Sequence, residues 1–138
     1  MNRLFLDTNI VLDFLLERNE WLDEVAAILS LADNGKIEVY CSTLSLATAS
    51  FFMEKAKMPH SLLQRKLSGF CEICKLSPVD DNVVRQSLAS DFTDFEDALQ
   101  YYSALTVNSE VIITRNGKDF VNSKLPVMTA NEWLERMK

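Results

Sequence analysis

The stretch that most constrains this chain is its first turn. A short apolar run, Leu4-Phe5-Leu6, stops at Asp7, and Ile10, Val11, Leu12, Phe14, Leu15 and Leu16 follow with helical periodicity. That order predicts a buried strand delivering Asp7 to its carboxyl end, with Thr8 and Asn9 opening a helix. In an open α/β sheet, ligands bind outside the carboxyl ends of strands, where the strand order reverses. Asp7 is therefore a candidate site residue. It is equally a candidate helix N-cap, since Asp, Thr and Asn all favour that position.

The same alternation continues along the chain. Leu22, Val25, Ala26, Ile28, Leu29 and Ala32 predict a second helix, ended by Asn34-Gly35. Residues 37–41 form a strand, and Ser42-Thr43 caps a helix through Leu46, Phe51 and Met53. After Pro59 comes a helix with Leu62, Leu63, Leu67 and Phe70, then a strand at residues 72–76. Beyond Ser77-Pro78 the pattern predicts helices at residues 80–88 and 94–105, strands at 111–114 and 126–128, and a closing helix at 130–137. Strands separated by helices give the α/β class with a mostly parallel sheet. At 138 residues the expectation is a single domain, 1–138.

Composition excludes several classes. Hydrophobic residues at 48% and charged residues at 25% are those of an ordered globular chain. No apolar stretch is long enough to span a bilayer, and the N-terminus carries no secretory signal pattern. Three cysteines, an odd count, fit a reducing cytoplasm. A net charge of −6 argues against a coat of nucleic acid. The charge is uneven, however: residues 7–33 are acidic and residues 54–75 are rich in Lys and Arg. Such an arrangement guides a phosphate backbone along one side, or is simply two solvated helix faces.

The single histidine, His60, rules out paired-histidine ribonuclease chemistry and reads as a surface residue. Cys71 and Cys74 have metal-ligand spacing, but residues three apart on a strand face opposite ways, so they read as core. The acids are better candidates. On one helix, Asp94 and Asp97 share a face in the first turn, although the same spacing also makes a variant capping box. With Asp7, and with the turn Thr114-Arg115-Asn116 leaving a strand at the same edge, they make a hard all-oxygen site suited to Mg²⁺ or Mn²⁺.

Together, the apolar strand into Asp7-Thr8-Asn9, then Asp94-Phe95-Glu96-Asp97-Ala98, then Ile113-Thr114-Arg115-Asn116-Gly117-Lys118-Asp119-Phe120 resemble a PIN domain. VapC-type toxin nucleases are the best-known small bacterial members. The resemblance implies a three-layer α/β/α sandwich and Mg²⁺- or Mn²⁺-dependent hydrolysis of RNA phosphodiesters. It also implies an antitoxin partner and a homodimer. By position, it makes Asp7 and Asp97 metal ligands, with Asn116 at the fourth acidic position. It makes Thr8, Asn9 and Thr114 polar support. Asp94, one turn before Asp97, is expected to join the metal set, and Arg115 and Lys118 are placed either to meet phosphate oxygens or simply to be solvated turn residues. One departure stands out: the family's glutamate falls at Thr48, and residues 47–49 hold no acid.

Two functions follow: a metal-dependent ribonuclease, and a catalytically weakened PIN-like fold that binds RNA or protein. Either way, Asp7, Asp94 and Asp97 are expected to converge, and metal binding is expected to be weak. The large apolar residues from Phe51 to Phe70 are either core or surplus surface; with the resemblance, Phe51, Phe52 or Leu63 is expected at or near a dimer contact.

Overall fold

The structure is a computed structural model that describes residues 2–138. Strand β1 is Arg3–Leu6 and β2 is Glu38–Ser42; β3 is Cys74–Ser77, β4 is Val111–Ile113 and β5 is Val127–Met128. Among the described residues they form one sheet in the order β3-β2-β1-β4-β5. Every pairing is parallel, with Leu4 beside Val39 and Val111, and Leu6 beside Ile113. From β1 the chain winds first to one side, through β2 and β3. It then crosses back to β4 and β5, so the switch in direction falls at the carboxyl ends of β1 and β4.

Strand alternation sorts the core into two layers. Leu4 and Leu6 of β1, Val39 and Cys41 of β2, and Val111 and Ile113 of β4 face one side. There they meet helices α1 (Thr8–Leu15), α2 (Leu22–Asp33), α3 (Thr43–Lys55) and α4 (His60–Ile73), and the C-terminal helix Ala130–Arg136. Phe5, Tyr40, Ile112 and Val127 face the other side and pack on Tyr101 and Ala104. Those two belong to α6 (Phe95–Thr106), which lies beside α5 (Asp81–Leu88); the closing helix is α7. The result is the expected α/β/α arrangement. Both sheet faces are covered, which is why the central strands read as unbroken apolar runs.

The structure departs from expectation around residue 72. The helical face Leu63-Leu67-Phe70 continues to Ile73, so α4 absorbs Glu72 and Ile73, and β3 begins at Cys74. Phe70 stacks on Phe14 with ring centroids 6.0 Å apart, and this anchor keeps the last turn helical. Cys71 therefore sits exposed on a helix and not in a strand, while Cys74 is buried beside Cys41. That contact and its burial push the Cys74 thiol well above its ordinary value, as expected of a core cysteine. His60 is exposed at the start of α4.

A second correction concerns the apolar surface. Leu63 is a core residue packed with Met53 and Phe70, because its side of α4 lies against α1 and α3. Of the large apolar residues in that stretch, Phe51 and Phe52 are the exposed ones, edge to face at 5.5 Å. Replacing Phe70 by Ala should cost about 3–5 kcal/mol in urea unfolding, as for other large-to-small core changes. Phe51→Ala should leave the stability of the isolated chain within about 0.5 kcal/mol.

Candidate active site

Asp7 is both the N-cap of α1 and the focus of a polar cluster. Its backbone N–H completes β1 by donating to the Ile113 carbonyl at 2.9 Å, which places the side chain just beyond the sheet. The carboxylate is buried, and four protein groups reach it. Oδ1 accepts from the Thr8 amide at 2.8 Å and from Gln100 Nε2 at 3.0 Å. Oδ2 accepts from Thr114 Oγ1 at 2.8 Å and, loosely, from Asn9 Nδ2 at 3.5 Å. Asn9 also reaches Thr114 Oγ1 at 3.2 Å and takes the Arg115 amide at 3.3 Å. Thr8, Asn9 and Thr114 thus surround the Asp7 carboxylate.

Asp97 differs in almost every respect. It lies in the first turn of α6, half-buried, and its amide donates to Asp94 Oδ1 at 3.1 Å. Asp94 is the exposed N-cap of that helix. Burial is the main cause that raises the Asp97 carboxyl to about 7, followed by the negative charges of Asp94, Asp119, Asp7 and Glu96. Asp119 comes from the 3₁₀ turn Gly117–Phe120 that follows β4. A cavity of about 490 Å³ opens between these elements, lined by Asp94, Glu96, Asp97, Asp119 and the exposed Lys118. Asn116 is exposed next to this turn and anchors it by donating its amide to Thr114 Oγ1 at 3.1 Å.

Among the described residues, no three acidic, His or Cys side chains stand close enough together to cage an ion. Mg²⁺ is usually held through one or two carboxylates, with waters and substrate phosphates completing its shell. A buried Asp7 and an Asp97 loaded with uncompensated negative charge fit that mode of binding. Thr48 is half-buried on α3 and supplies no charge.

Arg115 occupies a different place from the one its sequence position implied. Its guanidinium grips Asp13, which is wholly buried on α1, at 2.9 and 3.1 Å, and lies 3.7 Å above the Trp21 ring. Arg18 approaches the same carboxylate at 3.4 Å. A buried carboxylate demands such partners, so Arg115 is committed to tying the β4 turn onto α1 rather than free to meet a phosphate.

Two groups at this edge escaped the sequence reading. Gln100 lies one turn beyond Asp97 on α6, a spacing that puts both on one face, but its side chain carries no charge to draw attention. Asp119 lies within a motif already singled out.

A family model described as PIN domain matches residues 3–118. No curated protein matches the chain. Among solved structures the chain is similar to one from the crystal structure of VapBC2 from Rickettsia felis bound to a DNA fragment from their promoter. The TM-score is 0.66 at 20% identity, covering 91% of this chain and 96% of that one. At that identity the likeness is one of fold.

Two outcomes test this geometry. A carboxyl raised in the folded state binds protons that the unfolded chain has released, so it favours folding at low pH. That contribution is lost as pH climbs through about 7. The urea midpoint should therefore fall between pH 5 and pH 7.5 in the wild type, and fall less in Asp97→Asn. Arg115→Ala should cost about 2–3 kcal/mol, less than the ~3–5 typical of opening a buried pair because Arg18 still reaches Asp13. Trp21 fluorescence should change in the folded protein.

Proposed function

The chain belongs to the PIN domain family over residues 3–118, and we propose that it is a divalent-metal-dependent endoribonuclease, the toxin of a cytoplasmic toxin–antitoxin pair. The observation that carries this reading is the Asp97 carboxyl. It is raised to about 7 by burial and four neighbouring acids, at the edge of a cavity and on the same sheet end as Asp7. Uncompensated negative charge of this kind, in a cleft, marks a functional site, and a hard cation relieves it.

Asp7 and Asp97 would hold Mg²⁺ or Mn²⁺. When bound, the cation supplies charge neutralisation at the phosphoryl oxygens during in-line attack by water. The remaining steps belong to the chain. Asp94, fixed by its cap to α6, adds negative charge at the cavity mouth and orients water. Lys118, on the rim of the same cavity, meets a phosphate oxygen of the RNA. Asn116, its side chain exposed, contacts the substrate. Thr114, Asn9 and Thr8 hold the Asp7 carboxylate in register by the hydrogen bonds described above.

Partners follow from the surfaces. The exposed Phe51–Phe52 pair on α3 supports a homodimer contact. An apolar cavity of about 550 Å³ between α1, α2 and α4, floored by Phe14, Leu15, Leu22 and Phe70, supports capture of an antitoxin segment. Among the described residues no helix is long and apolar enough to cross a membrane.

The second reading, a weakened PIN fold that binds RNA or protein without cutting, draws on Thr48 and on the lack of a three-acid cage. Incubation with RNA separates the two. The nuclease reading predicts cleavage that requires Mn²⁺ or Mg²⁺ and disappears in Asp7→Asn. RNA retained intact at every metal concentration favours the binding module. Thr48→Glu should restore a carboxylate and tighten Mn²⁺ binding in calorimetry; tight wild-type binding unchanged by the substitution would contradict the role given to position 48.

A further inference from the structure

Gln100 is the hub of a buried network that joins three segments far apart in sequence. It is 2% exposed on α6. Its Oε1 accepts from Ser42 Oγ, the N-cap of α3. Its Nε2 lies 3.0 Å from Asp7 Oδ1, 3.1 Å from Thr8 Oγ1 and 2.7 Å from Ser45 Oγ. Ser45 and Thr8 are themselves 2.7 Å apart. Every partner is neutral except Asp7, and α3 contributes two hydroxyls and no charge.

The consequence lies in the lone pairs of Asp7. Each carboxylate oxygen accepts about two hydrogen bonds. Oδ1 has two firm donors, the Thr8 amide and Gln100 Nε2. Oδ2 has one firm donor in Thr114 and a loose one in Asn9 at 3.5 Å. We propose that Gln100 is a positioning residue that fills the α3 flank of Asp7 with an amide, closing that flank to a cation and leaving Oδ2 as the oxygen presented to metal and substrate. Asp7 is thereby fixed on that flank by a neutral donor. The inference rests on the metal-dependent reading above only for what Oδ2 receives. The closure of the Oδ1 flank stands on the hydrogen bonds alone.

Gln100→Glu tests it, because the substitution is isosteric and changes one donor into a carboxylate beside Asp7 Oδ1. In ion-free buffer the variant should melt below the wild type, since two buried carboxylates then face each other. Adding Mn²⁺ should raise its Tm more than the wild type's and tighten Mn²⁺ binding at least about tenfold, the lower end of what the outer partners of a metal site are worth. Gln100→Met, equal in length but uncharged, should show no such gain. If Gln100→Glu folds only when purified in Mn²⁺, that supports the proposal; failure to fold in both conditions overturns it. No Mn²⁺-dependent gain, or an equal gain in Gln100→Met, also overturns it. A wild type that ignores Mn²⁺ while Gln100→Glu responds would overturn the nuclease reading and leave the closure of the flank standing.

Discussion

A single buried carboxylate organises this molecule. Asp7 ends β1, caps α1 and accepts from residues of α1, α6 and the β4 turn, so four elements are fixed against one side chain. Burying a charge is costly unless it is hydrogen-bonded throughout. The cost is offset here by donors drawn from positions 8, 9, 100 and 114, which the topology brings together only because β1 lies between β2 and β4. The sheet's switch in winding direction creates the crevice, and the carboxylate sets what lines it.

Around that point the site divides into two electrostatic halves. Towards α3 it is neutral and largely buried, built from Ser42, Ser45, Thr8 and Gln100. Towards the N-terminus of α6 it is acidic and open, with Asp94, Glu96, Asp97 and Asp119 around a cavity. The helix N-terminus favours negative charge, but not four carboxyls at once, and Asp97 records the surplus. A PIN site arranged this way has its attraction for a cation on one side only, which suits an ion completed by substrate phosphates rather than one held permanently.

Much of this was legible in the sequence, for definite reasons. The strand running into Asp7, the first turn of α6 and the covered sheet follow from local periodicity, which packing reinforced rather than overrode. The end of α4 was misread because Glu72 to Leu76 alternates like a strand, while the Phe70–Phe14 contact that extends the helix joins residues far apart in the chain. Arg115 was misassigned for the same reason: its partner Asp13 lies 102 positions away. Leu63 read as surplus apolar surface because the sequence does not reveal which helix covers which. Gln100 was passed over because a neutral amide is recognisable as a site residue only once its neighbours are known.

The central claim is that Asp7 and Asp97 act on one ion. Anomalous diffraction from crystals soaked in Mn²⁺ tests it directly. One manganese peak is expected about 2.1 Å from both Asp7 Oδ2 and an Asp97 carboxylate oxygen, the usual oxygen-ligand distance of small divalent cations. A peak held by Asp94 and Asp119 without Asp7, or Asp7 and Asp97 carboxylates more than about 10 Å apart, a separation those ligand distances do not allow one ion to bridge, would contradict it.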